Sequence, residues 1–183
     1  LNILLACVIG LFAGCGLVFL LESLDNTVKG VEDAQNLTGH AVLGSIPNGH
    51  QLKKKIKSEN LDLACHLDCK SPFSESYQFV KTGIFFSNVD EPAKTILITS
   101  SIPKEGKTID AANLAITYAS GGEKVLLIDA DLRNPRIHTI FKVFGERGLT
   151  LLLTGLIKVN EAILATQVPN LFILPCGQNP PNP

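Results

Sequence analysis

The chain has 183 residues, of which 45% are hydrophobic and 18% charged, with a formal net charge of −1. That length carries one core of ordinary size with room for an appendage. The near-neutral balance excludes a nucleic-acid partner held by bulk charge, and the positive mean hydropathy is concentrated in the first twenty-odd residues.

Residues 3–21, "ILLACVIGLFAGCGLVFLL", carry no charge. At 1.5 Å per residue they reach ~28 Å, close to the hydrocarbon thickness of a bilayer. Glu22 and Asp25 end the run. A buried core helix is rarely apolar on every face over this length, and a lipoprotein signal would need a basic start. Residues 1–21 are therefore expected to be a transmembrane helix. Gly10 and Gly14 give it a small-residue pair of the kind that lets helices approach closely. Methionine is absent, the sequence opens inside an apolar run, and it stops in "NPPNP". Both ends read as cuts in a longer protein.

Residues 22–72 read as a juxtamembrane connector. "VEDAQNLTGHAVLGSIP" predicts a short helix stopped at Gly39, then a brief strand over Ala41–Ile46 ended by Pro47. The following polar stretch, residues 48–62, is expected to be mobile. Its basic cluster "LKKKIK", Leu52–Lys57, is either a solvated linker or a contact for anionic lipid headgroups. The five cysteines lack framework spacing. "CHLDC", Cys65–Cys69, has no second ligand pair for zinc and reads as ordinary thiols.

"SPFSESYQFVKTGIFFSN" predicts a helix with Ser74 as N-cap and a stripe of Phe79, Val80, Ile84 and Phe85 facing the next domain. "KTILITS", Lys94–Ser100, is short, apolar and β-branched, and predicts a buried strand. An Ala-rich helix from Lys107 ends at Gly121-Gly122. "KVLLIDAD", Lys124–Asp131, predicts a second buried strand, and Leu171–Leu174 a third. Strand, loop, helix and strand at this spacing make a βαβ unit with a parallel sheet.

The loop between the first strand and the helix is "SSIPKEGKT". It matches a phosphate-binding loop except that Ser101 stands where the first glycine is usual. A helix start behind a strand end presents free N–H groups and a positive dipole end to an anion. Ser101, Ile102, Pro103, Lys104, Glu105 and Gly106 would cradle the phosphates. Lys107 would reach the β- and γ-phosphates, and the Thr108 hydroxyl would meet Mg²⁺. The second strand ends in Asp129 and Asp131, at the edge where ligands gather in open α/β sheets. These carboxylates could hold Mg²⁺ or take a proton from an attacking hydroxyl. The bland alternative is strand-end solvation, or a helix cap for Asp131. Arg133 could neutralise phosphate or anchor a neighbouring carboxylate.

With these motifs in order, the sequence resembles the bacterial tyrosine kinases of capsular and exopolysaccharide export, joined to a polysaccharide co-polymerase membrane segment. "SSIPKEGKT" resembles their Walker A motif and "VLLIDADLRNPRIHTIF" their Walker A′ motif. "GLTLLLTG" and "LFILPCGQNPPNP" resemble the helix and strand that follow. The resemblance implies an α/β, P-loop NTPase-type parallel sheet with flanking helices, preceded by one transmembrane helix. Residues 73–183 would be the first part of the kinase domain, ending before its Walker B strand.

The implied activity is an ATP- and Mg²⁺-dependent protein-tyrosine autokinase. It would act on a tyrosine-rich tail of a neighbouring subunit and so govern polymer length and export. Lys107, Asp129 and Asp131 would be catalytic, and Thr108, Asp129 and Asp131 would hold the metal. The implied partners are further copies of the chain, the polysaccharide polymerase and export machinery, and the bacterial inner membrane with the kinase on the cytoplasmic side. Nucleic acid is not among them. Two alternatives stay open: a catalytically weak chain-length regulator that binds nucleotide, and a membrane-attached partition-type ATPase. The family's docking helix carries Glu-x-x-Arg-x-x-Arg, but here the positions are Glu75, Gln78 and Lys81. Lysine does not replace a bidentate arginine. Tyr77 and Tyr118 read as packing residues rather than phosphosites.

Overall fold

The computed structural model describes residues 2–25, 27–47, 61–87 and 89–178. The chain divides into two compact units, Leu1–Val42 and Leu43–Pro183. The basic cluster Leu52–Lys57 lies outside the described residues.

In the first unit, helix α1 spans Asn2–Leu24 and buries no residue. Its apolar side chains face outward all round, which in water would be unfavourable for each of them. It is long and apolar enough to cross a membrane. Just past it, Lys29 Nζ bonds Glu22 Oε1 at 2.7 Å and Asp25 Oδ2 at 3.0 Å. The Thr27 hydroxyl, and then Lys29, pull the Asp25 carboxyl down to about 2. Helix α2, Val31–Thr38, ends as the sequence predicts: Gly39 takes φ 69° and its N–H closes on Gln35 O at 2.8 Å. The strand expected over 41–46 does not form.

In the second unit, residues 43 and 44 pass directly over a helix instead of joining a sheet. A Cβ on Gly44 would stand 2.7 Å from Val80 Cγ2, and one on Gly83 would stand 2.8 Å from Leu43 O. An extended segment laid on a helix has no ladder partner, so it stays irregular. Residues 61 and 62, expected to be mobile, begin a 3₁₀ turn, Leu61–Leu63, that runs into the short helix α3, Ala64–Leu67. Both segments pack on the core through Leu63, Ala64 and Cys65.

Helix α4 spans Pro72–Ser87. Its cap is Ser71, not Ser74: Ser71 Oγ accepts the Ser74 N–H at 3.2 Å, and proline stands at the first helical position, where no N–H is needed. The buried face also differs from the predicted stripe. Phe73, Ser74, Ser76 and Tyr77 are buried and Val80 and Ile84 half-buried, while Phe79 and Phe85 are exposed. The first turns, which meet the central helix and the short helix before it, carry most of the packing.

Helix α5, Lys107–Ser120, is the centre of the unit and buries seven residues from Ala112 to Ala119. One side meets α3, α4 and the 3₁₀ turn, and another meets strands β1, Val125–Ile128, and β3, Leu171–Leu174. Asn113, wholly buried, locks the first contact. Its Nδ2 donates to Leu61 O and Ile109 O, both at 3.0 Å, and its Oδ1 accepts the Cys65 N–H at 3.0 Å.

Strands β1 and β3 pair in parallel from Val125↔Leu171 to Ile128↔Leu174, and β2, Leu164–Ala165, adds antiparallel to the far side of β3. Short helices α6, Ile137–Ile140, α7, Leu149–Leu153, and α8, Val159–Ala162, fill the connection from β1. The strand predicted at Lys94–Ser100 is absent, and Leu97 is 85% exposed. Only Ile98 of this run packs against the core. An apolar run becomes a strand only where a neighbour offers its backbone groups. β1 gives one edge to β3, and residues 95–100 are not registered on the other. For the same reason β1 is half-buried instead of buried, with Leu126 and Ile128 exposed.

Candidate functional site

The loop expected to hold phosphate leads straight into α5. Gly106 takes φ 99°, a conformation that favours glycine, and its carbonyl accepts the first helical bond from Asp110 N–H at 2.9 Å. No side chain caps this helix, so its first-turn N–H groups are available to an outside acceptor. Ser101 to Glu105 are exposed, while Gly106, Lys107 and Thr108 are half-buried. Lys104 sits at φ 69° without being glycine, a strained setting of the kind found at ligand loops.

The loop is held by its own side chains. Lys107 Nζ donates to Ser100 Oγ at 3.0 Å, and Ser100 Oγ donates to Ile102 O at 2.8 Å. Glu105 Oε2 accepts the Ile102 N–H at 3.3 Å. Thus the lysine already lies along the loop.

The two acids after β1 have different surroundings. Asp129 is 4% exposed. Its Oδ2 accepts the N–H groups of Arg136 at 3.1 Å and Ile137 at 3.0 Å, and its Oδ1 accepts the Asp131 N–H at 3.3 Å. It therefore caps α6 from a distance. Burial raises its carboxyl pKa even against these three donors. Asp131 is exposed and closes a turn through Oδ1, which accepts the N–H groups of Arg133 at 3.2 Å and Asn134 at 3.0 Å. The helix-capping alternative weighed for Asp131 thus describes Asp129. Arg133 meets Asp131 through its backbone; among the described residues its guanidinium enters no ion pair.

Two features of the site were not foreseen. Tyr77, 1% exposed, donates its hydroxyl to Asp110 Oδ1 at 2.7 Å, in the first turn of α5. Beside Asp129, the carboxyl end of β3 is clasped by residues 148–150. Leu149 N–H donates to Pro175 O at 2.8 Å and Thr150 N–H to Cys176 O at 2.9 Å. A Cβ on Gly148 would fall 2.2 Å from Pro175 O, so this approach demands glycine. A lone Asp in the first turn and a Gly-Leu-Thr preceding an apolar run were the available signals.

No family model matches the chain. Over 114 residues it is 46% identical to the tyrosine-protein kinase YwqD of Bacillus subtilis, covering 62% of this chain and 48% of that protein. It is 30% identical over 199 positions to the tyrosine-protein kinase etk of Escherichia coli, covering 100% of this chain and 27% of the relative. Its fold overlays the chimerical protein CapA2B2 with a TM-score of 0.73 at 35% identity, covering 84% of this chain and 62% of that one. The kinase domain of Escherichia coli ETK overlays with 0.76 at 28% identity, covering 85% and 62%. The chain belongs to the bacterial tyrosine kinase family.

The chain spans about half of YwqD, 48%, and about a quarter of etk, 27%. Lys81, where the resemblance would expect an arginine, is engaged within the chain. Its Nζ pairs with Glu123 Oε1 at 2.8 Å and stands 4.6 Å over the Tyr118 ring. Gln78 and Glu75 are exposed on the same helix.

Proposed function

We propose that this chain is the membrane-proximal and nucleotide-binding part of an ATP-dependent protein-tyrosine autokinase that regulates capsule or exopolysaccharide length and export. The observation that carries the reading is the uncapped start of α5, where Gly106, Lys107 and Thr108 follow a loop whose lysine is already laid along it. Ser101, Lys104, Glu105 and Gly106 would bring backbone N–H groups to the phosphates, while Pro103 has none and the Ile102 N–H is taken by Glu105 Oε2. Lys107 exchanges the Ser100 hydroxyl for the β- and γ-phosphate oxygens of ATP, where its charge counters the negative charge of the transferring group. Arg133, in no ion pair among the described residues, is a second cation for the phosphates.

Among the described residues no group of three His, Cys, Asp or Glu side chains could form a protein cage for a metal. The oxygen donors of Thr108, Asp129 and Asp131 suit Mg²⁺, which takes one or two protein ligands and completes its shell with water and phosphate. Thr108 and Asp131 would hold it, with Asp129 behind them. Bound there, Mg²⁺ would neutralise charge on the phosphates. Asp131 is the better candidate to accept the tyrosine hydroxyl proton, because both oxygens of Asp129 already accept backbone N–H bonds. The acceptor tyrosine belongs to the tail of a neighbouring copy. Tyr77 is buried and Tyr118 half-buried in this chain. α1 would anchor the assembly in the bacterial inner membrane, with α5 on the cytoplasmic side beside the polymerase and export machinery.

A second reading, a nucleotide-binding length regulator with weak chemistry, is favoured by Lys81, which is paired inside the chain instead of being presented to a neighbour. The two separate in one experiment. The complete gene product is incubated with Mg-ATP and probed for phosphotyrosine, beside Lys107→Ala and Asp131→Ala. The kinase reading expects a signal in the native protein that drops about 100-fold or more in Lys107→Ala. Binding of ATP without phosphotyrosine favours the regulator, and a signal indifferent to Lys107 defeats the site.

A further inference from the structure

We propose that Tyr77 and Asp110 form a positioning pair that holds the first-turn carboxylate of α5 off the phosphate site; this rests on the reading of the loop as an ATP site. Asp110 lies three residues beyond Lys107, and its Oδ2 is 3.6 Å from where a Cβ on Gly106 would stand. The carboxylate therefore reaches back to the loop's own glycine. An acid in the first turn suits an empty helix start, because it meets the positive dipole end. The same charge opposes a bound phosphate.

The hydroxyl of Tyr77 decides where that charge points. The ring is 1% exposed and packs edge-on to Phe73 with centroids 5.2 Å apart, so the hydroxyl is fixed by the core. Its bond to Oδ1 at 2.7 Å ties the carboxylate toward α4. Burial pushes the Asp110 carboxyl pKa up and the Tyr77 bond pulls it down, so the hydroxyl stabilises the charge in that rotamer. Without the bond, Oδ1 turns to the free N–H groups of the first turn, which are the donors a phosphate needs. From the sequence Tyr77 reads as a packing residue; the ring does pack, and the oxygen has a separate role.

The test is a double-mutant cycle on the full chain in detergent micelles, with Mg²⁺ and a fluorescent ATP analogue displaced by ATP or ADP. Tyr77→Phe keeps the ring and removes one oxygen. It is expected to weaken ATP about fivefold and ADP less, because the released charge acts on phosphates. Asp110→Asn is expected to tighten ATP, and in that background Tyr77→Phe has no further effect. Additive effects in the cycle, or equal losses for ATP and ADP, overturn the pair and leave the loop reading intact provided Lys107→Ala abolishes binding. Binding that Lys107→Ala does not touch overturns the loop reading, and the pair with it.

Discussion

At the scale of single residues, polar groups do the joining that the apolar pattern leaves undone. Asn113 is one example. Three of its hydrogen bonds run to backbone groups, two of them in a segment about fifty residues earlier in the chain. Asn113→Ala leaves those groups buried and unpaired, and is expected to lower stability by about 2–4 kcal/mol in urea unfolding. Asn113→Asp keeps the acceptor for the Cys65 N–H but presents oxygen to the Leu61 carbonyl, so it should recover little. A loss below about 0.5 kcal/mol in Asn113→Ala would show that water replaces the side chain.

At the scale of elements, propensity was overruled wherever a partner was missing. Residues 95–100 have the composition of a central strand, yet their amides make no backbone bonds among the described residues. In hydrogen exchange these amides are expected to exchange as loops do, while those of β1 and β3 are protected. Slow exchange across 95–100 would mean that the run does pair. α5 behaves oppositely. It is Ala-rich, and it is buried along most of its length by α3, α4 and the sheet, so propensity and packing agree.

At the scale of the whole molecule, the two units present different surfaces. α1 is exposed and apolar on all faces, whereas the second unit has its own core. Removing residues 1–42 is expected to leave a unit that unfolds cooperatively and stays in the aqueous phase on detergent partition. The full chain is expected to enter the detergent phase. Loss of cooperative unfolding after the removal would show that the second unit depends on the first.

Much was legible from the sequence alone because its signals are local. The length and lack of charge of residues 3–21, the Gly39 stop, the Ala-rich helix between Gly106 and Gly121, and the β1 and β3 runs each carry their own physical instruction. The order of "SSIPKEGKT" and "IDADLR" pointed to the family. What needed the tertiary structure was everything that depends on a partner distant in sequence. Asp129 is a buried cap because residues 136 and 137 return to it. Residues 41–46 and 95–100 are not strands because no ladder stands beside them. The Tyr77 hydroxyl acquires a role only because α4 crosses the first turn of α5, thirty-three residues away. Hydrophobic period and turn chemistry are read within one segment, while hydrogen-bond partners are settled only when segments meet.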